Sequence, residues 1–168
     1  FPSRAGICAR NLMFTSLLVA YDGGSIAMKA LDKAIELAKD TAAEIYLITI
    51  YTDNDIQSWR MRGSNYPANA KELFNPHNDN FSTAEAVYVS SFQAEPADKV
   101  NKAGIPLHCR ITKGKAHTAI VEYAKEICAD LVVTGTRNRG TPAKLLIGSV
   151  ADSIIRNAPC PVMIVKED

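Results

Sequence analysis

Short apolar runs alternate with longer amphipathic stretches along most of this chain. Five runs have the length of a β-strand: residues 15–21, 44–51, 105–111, 131–134 and 161–165. The run EIYLITIY at 44–51 is apolar on both faces, which is typical of a strand covered on both sides. Because helical patterns separate the runs, the sequence predicts a β-α-β-α-β-α-β-α-β order and a parallel, doubly wound sheet.

Four helices are predicted between these strands. The first takes Ser25 as its N-cap and ends near Asp40, with alanines along its buried stripe. The second begins at a capping box at residues 82–85 and contains Pro96, which predicts a kink or a restart. A third helix precedes the fourth strand, and the fourth helix spans residues 149–157.

Two stretches do not follow the alternation of strand and helix patterns. Residues 52–80 are rich in Asn, Asp, Pro and Gly and are predicted to form a long excursion. Residues 1–12 have no apolar segment of the kind that a secretory signal carries, so we expect a disordered or expression-derived extension there. The remainder, residues 13–168, is predicted to be one domain.

Composition and charge argue against a nucleic-acid partner and against a membrane span. Of the 168 residues, 47% are hydrophobic and 22% are charged, which is ordinary globular usage. The net charge of +1 gives no basic excess of the kind that nucleic-acid binders show, so no nucleic-acid partner is expected. No apolar run approaches the length of a membrane span, so none is predicted.

Four cysteines are scattered through the chain without a CxxC pair or zinc-ligand spacing. This usage predicts small buried hydrophobic side chains in a reducing compartment, and therefore a cytoplasmic protein.

Candidate chemistry lies in two loops that follow the first and fourth strands. In open α/β sheets, ligands bind at the carboxyl ends of the strands, where the winding reverses. The first loop is Asp22-Gly23-Gly24-Ser25, and the second runs from Gly135 to the start of the fourth helix at Gly148 and Ser149. A helix N-terminus favours phosphate, and the glycines at 135 and 140 permit a positive φ, which can line backbone N–H groups toward an anion. Three cations in the second loop suit a polyphosphate: Arg137, Arg139 and Lys144.

These residues resemble the universal stress protein family. Nucleotide-binding members of that family carry Gly-x2-Gly-x9-Gly-(Ser/Thr) after the fourth strand and an Asp at the end of the first. Here the spacing gives Gly135, Asn138, Gly148 and Ser149, with Asp22 as the acid. The ending LLIGSVADSIIRNAPCPVMIV is also typical, and the resemblance covers residues 14–166. Asn138 departs from the pattern, since the family has glycine there.

The resemblance implies a five-stranded sheet of order 3-2-1-4-5 and a site for ATP or a related adenine nucleotide, with Mg²⁺ as an accompanying ion. It places Asp22 at the ribose or base edge, Ile50 on the adenine and Asn138 at the phosphates. The full set that it implies is Ala20, Asp22, Ile50, Thr134, Gly135, Asn138, Gly148, Ser149 and Val150. It also implies a homodimer through the strand from Pro161 to Val165, an apolar edge that would otherwise be bare.

The function that this reading predicts is nucleotide binding in stress response or signalling, without dedicated catalysis. No GxSxG, GxxxxGK[ST] or HExxH motif is present. Two alternatives remain open: a dimeric interaction module that has lost nucleotide binding, which Asn138 would signal, and a weak ATPase. Asp22 could instead simply form an Asx turn, and Gly148-Ser149 could be an ordinary helix start.

Overall fold

The computed structural model of the protein describes residues 14–52, 54–55, 83–136 and 148–166, and for residues 83–91 it describes the backbone alone. The predicted extension at 1–12 and most of the predicted excursion at 52–80 lie outside these residues. Within the described part, strands and helices alternate throughout. They are β1 Ser16–Ala20, α1 Ser25–Thr41, β2 Glu44–Tyr51, α2 Thr83–Lys102, β3 Leu107–Lys113, α3 Ala116–Glu126, β4 Leu131–Gly135, α4 Ser149–Asn157 and β5 Val162–Val165.

The strands form one parallel sheet in the order β3-β2-β1-β4-β5, which confirms the predicted fold. Leu17 of β1 pairs with Ile45 of β2 on one side and with Leu131 of β4 on the other. The winding therefore reverses between β1 and β4, and the crevice at their carboxyl ends is the place where such sheets bind ligands. None of the described helices is long and apolar enough to cross a membrane.

Two apolar clusters cover the two faces of the sheet. Leu17 and Val19 face α1 and α2, where the predicted alanine stripe of α1 is buried. Leu18 lies on the opposite face with Ile48 and Val132, under α3 and α4. This alternation follows from the period of two along a strand, and it decides which side chains at the strand ends share a face.

The N-cap predicted at Ser25 is wrong, and of the two outcomes predicted at Pro96 the restart is wrong, while the kink stays a prediction. Gly24 is the N-cap of α1, and its carbonyl accepts a hydrogen bond from the Met28 N–H at 3.0 Å, so Ser25 is already helical. Pro96 lies buried inside one continuous α2 and starts no new helix. A proline removes one backbone N–H donor from a helix, and here the helix continues on both sides of it.

The cysteine prediction also needs correction. Cys109 and Cys128 are exposed, and Cys160 is partly buried. Cys109 lies on the edge strand β3, and Cys128 has a φ of 51° just after the end of α3, where the chain turns toward β4. Both positions belong to the periphery of the sheet, where a small apolar side chain need not be covered.

Asp130 ties β1 to β4 at the amino edge of the sheet. Its Oδ2 accepts hydrogen bonds from the Thr15 N–H at 2.8 Å, the Thr15 hydroxyl at 2.7 Å, the Ser16 N–H at 3.0 Å and the Ser16 hydroxyl at 3.1 Å. Burial raises the pKa of Asp130, but the hydrogen bonds from Thr15 and Ser16 outweigh it and hold the pKa below its usual value. The two strands that flank the crevice are thus fixed at their far ends.

Candidate functional site at the carboxyl edge of the sheet

Three predicted site residues, Ala20, Ile50 and Thr134, lie at the ends of the adjacent strands β1, β2 and β4. Ala20 and Ile50 are partly buried against the cluster under α3 and α4. Thr134 follows the buried Val132 of that cluster by two residues, so its side chain belongs to the same face. The structure therefore brings these three side chains to one face of the sheet edge, beside the crevice between β1 and β4.

The fourth predicted residue, Asp22, follows β1 in an exposed turn. Its Oδ1 accepts a hydrogen bond from the Gly24 N–H at 3.0 Å, which makes an Asx turn. Gly23 has a φ of 82°, a conformation that favours glycine. The exposed carboxylate therefore belongs to the turn that follows Ala20 at the carboxyl end of β1. The Asx turn, which is the alternative interpretation of Asp22, is present.

A buried tyrosine sits directly before this turn. Tyr21 lies on the face under α1 and α2, opposite to Ala20. Burial raises its pKa, and the charges of Glu95 and Asp22 raise the pKa further. The end of β1 is therefore flanked by two carboxylates, one from its own turn and one from α2.

Gly135, where glycine permits a positive φ, ends β4 without one. The reason for glycine here is the first turn of α1. A Cβ on Gly135 would lie 2.7 Å from Ile26 Cγ2 and 3.2 Å from the Ile26 backbone carbon. The absent side chain lets α1 approach the end of β4, and the positive φ that glycine permits here is not used.

The N-terminus of α4 presents the remaining described candidates. Gly148 is its N-cap, without a side-chain hydrogen bond to the first turn, and its carbonyl accepts from the Asp152 N–H at 2.9 Å. Ser149 and Val150 are exposed. First-turn N–H groups without a capping side chain, at the positive end of a helix, are suited to an anion.

The central part of the predicted phosphate loop lies outside the described residues. Asn138 belongs to this part, as do Arg137, Arg139, Gly140 and Lys144. Their roles stay predictions. Among the described residues, no group of three or more His, Cys, Asp or Glu side chains could hold a metal ion.

Sequence reasoning missed two residues of α2, Phe92 and Gln93. Gln93 is 2% exposed, and Phe92 packs against Gly23 in the turn that carries Asp22. The spacing of Gln93 to the buried Ala97 and Val100 is that of one helix face, so a helical count back from Val100 would have placed Gln93 toward the sheet. Nothing in the local sequence signals the contact between Phe92 and Gly23.

Solved structures share this fold. A universal stress protein in complex with cAMP superimposes with a TM-score of 0.62 at 24% identity, covering 92% of this chain and 98% of that one. The Archaeoglobus fulgidus universal stress protein in complex with dAMP gives a TM-score of 0.61 at 18% identity, covering 92% of this chain and 99% of that one. An Arabidopsis thaliana family protein with AMP bound gives 0.60 at 19%, covering 92% of both.

Relatives with similar sequences carry the same family name. The universal stress protein MJ0531 of Methanocaldococcus jannaschii is 28% identical, covering 92% of this chain and 84% of its own. YxiE of Bacillus subtilis is also 28% identical, covering 92% of this chain and 100% of its own. The sequence model of the Universal stress protein family matches residues 13–166. The chain therefore belongs to the universal stress protein family.

Proposed function

We propose that this protein binds an adenine nucleotide at the carboxyl edge between β1 and β4 and serves as a nucleotide-dependent component of stress response or signalling. The observation that carries the proposal is the convergence of Ala20, Ile50 and Thr134 on one face of this edge, with Asp22 in the adjoining turn. A small apolar patch beside an exposed carboxylate suits a base and a ribose. Structures of family proteins with cAMP, dAMP and AMP support the adenine class.

Each part of the ligand has a counterpart in this assignment. Ile50 packs on the adenine, Ala20 lies beside Asp22 at the ribose or base edge, and Thr134 and Gly135 border the base and sugar. Gly148, Ser149 and Val150 receive the phosphates at the α4 N-terminus, and Asn138 completes that end. The described residues contain no group of three or more metal-ligating side chains, so Mg²⁺ would arrive with the phosphates of ATP rather than occupy a cage of its own.

Calorimetric titration of the purified protein with AMP and with ATP, with and without Mg²⁺, tests the proposal. We expect saturable binding of both nucleotides and a higher melting temperature in their presence. An absence of heat and of thermal shift would overturn nucleotide binding and leave the dimeric interaction module, which the Asn138 departure favours. Phosphate release over many turnovers would favour a weak ATPase instead.

Asp22 variants separate a ligand contact from a turn. Asp22→Asn keeps an oxygen for the Gly24 N–H, whereas Asp22→Ala removes it. If the carboxylate binds the ligand, both variants weaken AMP binding by about tenfold or more. If Asp22 only shapes the turn, Asp22→Asn binds like wild type. The affinities of wild type and variants for AMP, dAMP and IMP then locate the contact. A preference for AMP over dAMP that the variants lose indicates a contact to the ribose 2′-hydroxyl. A preference for AMP over IMP that they lose indicates a contact to the base edge.

We further propose a homodimer through β5 and a cytoplasmic location. All four residues of β5 are partly exposed and apolar, and Val150 and Ile155 on α4 are exposed at 37% and 44%. An edge strand of this composition pairs with another chain when left uncovered. Light scattering on a sizing column at micromolar concentration is expected to give the mass of two chains, and a monomer mass would contradict the dimer.

A further inference from the structure

The carboxamide of Gln93 forms a buried link between α2 and two strands. Its Nε2 donates to Thr49 Oγ1 at 3.0 Å and to the Arg110 carbonyl at 3.0 Å, and the Leu47 carbonyl lies farther away at 3.5 Å. An amide nitrogen has two hydrogens, so the two shorter contacts use both. Carbonyl oxygens only accept, so the nitrogen must face these acceptors. Gln93 therefore fixes the end of β2 to β3 and to α2.

Phe92, the residue before Gln93, packs against the turn that follows β1. A Cβ on Gly23 would lie 3.0 Å from Phe92 Cδ1 and 3.4 Å from Phe92 Cε1, so the ring fills the space that a side chain would take. Gly23 already has the positive φ of 82° that only glycine adopts without strain. The turn that carries Asp22 thus rests directly on α2. The raised pKa of Tyr21, to which Glu95 contributes, agrees with α2 lying close to the end of β1.

We propose that Phe92 and Gln93 are positioning residues for the nucleotide site, an inference that rests on the proposed function. Thr49 directly precedes Ile50, whose side chain lies on the opposite face, against the cluster under α3 and α4. Holding Thr49 therefore sets the position of Ile50. Phe92 and Gln93 thereby set the distance between Ile50, which is assigned to the adenine, and the turn of Asp22. They do so without contacting the ligand themselves.

The experiment compares Gln93→Met with Val100→Ala, a matched control in the same helix. Val100 is fully buried in the core cluster under α1 and α2, and its apolar side chain makes none of the hydrogen bonds that link Gln93 to β2 and β3. We expect Gln93→Met to raise the Kd for AMP by about tenfold or more, while Val100→Ala lowers the melting temperature at least as much and leaves the Kd within about twofold of wild type. The amide resonances of Gly23 and Gly24 should shift in Phe92→Ala and stay in place in Val100→Ala.

If Gln93→Met does not fold, two substitutions of Thr49 test the same hydrogen bond. Thr49→Val removes the hydroxyl that accepts from Gln93, whereas Thr49→Ser keeps it. We expect weaker AMP binding in the first and near wild-type binding in the second. Wild-type protein that does not bind AMP would overturn the proposed function and this role with it. Wild-type binding together with an unchanged Kd in Gln93→Met, Phe92→Ala and Thr49→Val would overturn the positioning role alone.

Discussion

At the scale of single residues, Gly135 belongs to the glycine pattern of the predicted phosphate loop and also has a packing reason to be glycine. Its place in the glycine pattern predicts a flexible loop near phosphate, yet the residue is part of β4 and lies against Ile26 of α1. Close packing of helix on strand requires the missing side chain, and the same packing brings the turn before α1 near the end of β4. The packing requirement at this glycine and the proposed contact with the ligand thus both favour a residue without a side chain.

Gly135→Ala is expected to lower the free energy of unfolding by about 1–3 kcal/mol, because its Cβ would lie 2.7 Å from Ile26 Cγ2. Urea denaturation measures the loss. Adding Ile26→Ala removes the γ-methyl and should recover part of the stability, whereas adding Ile26→Val keeps a γ-methyl and should recover less. Equal stability of Gly135→Ala and wild type would show that α1 does not need the glycine.

Asp130 gives the protein a pH dependence in the acid range. Its pKa is lowered in the folded state, so the stability that it contributes is complete above the unfolded value of about 4 and is lost as the pH falls through the folded pKa. Asp130→Asn should cost about 1.5–3 kcal/mol at neutral pH and flatten the loss of stability on acidification. Urea titrations between neutral and acid pH measure both effects.

The control for this prediction is Asp98→Asn. Asp98 pairs with Lys102 at 2.6 Å, and both side chains are largely exposed. Exposed pairs of this kind contribute little, so a change below about 0.5 kcal/mol is expected. If Asp130→Asn behaved like this control, the four hydrogen bonds at the amino edge would carry no net stability.

At the scale of elements, the N-terminus of α4 can be tested by adding a negative charge. Ser149→Asp should stabilise the helix by about 0.3–1 kcal/mol through its dipole, and should weaken AMP binding because the carboxylate repels and competes with the phosphate. Thr118→Asp, in the first turn of α3, should give the same stabilisation without the loss of affinity. Unchanged AMP affinity in Ser149→Asp would place the phosphates elsewhere.

Element boundaries were predictable where the local pattern decides them. The bounds of β2 and α4 were predicted as found, because EIYLITIY and residues 149–157 carry unambiguous strand and helix patterns. Strand β3 was predicted to begin at Ile105 but begins at Leu107, because Ile105 packs on the end of α2, with its N–H 3.4 Å from the Val100 carbonyl. An apolar residue just before a strand has the same local pattern as one within it.

The contacts that shape the candidate site join residues far apart in the chain, and local patterns do not encode them. Asp130 and Thr15 are 115 positions apart, and Gln93 and Thr49 are 44 apart. The family resemblance supplied Ala20, Ile50 and Thr134, whose shared face then follows from strand alternation. Phe92 and Gln93 belong to no motif, so only the packing of α2 on the sheet identifies them.

At the scale of the whole molecule, the two edges of the sheet differ in chemistry. Edge strand β3 carries His108 and Arg110. The Nε2 atom of His108 lies 3.0 Å from Glu44 Oε2, and the Nη1 atom of Arg110 lies 2.6 Å from Glu126 Oε2. Charged side chains on an edge strand oppose pairing with another sheet. Strand β5 at the other edge has the sequence VMIV and no charged residue. This difference favours β5 over β3 as the edge of the proposed homodimer.

The direction of the β5 backbone permits a test that leaves the fold intact. The carbonyls of Pro161 and Val165 accept hydrogen bonds from β4 and the residue after it, so by alternation the N–H of Ile164 faces away from β4. Ile164→Pro removes this outward backbone donor, whereas Ile164→Ala keeps the backbone N–H and also shortens the side chain. We expect Ile164→Pro to be a folded monomer and Ile164→Ala to remain dimeric by light scattering, with circular dichroism as the check on folding. A dimer in both variants would show that backbone pairing at β5 does not hold the subunits together, whereas a monomer in both would assign the association to the Ile164 side chain.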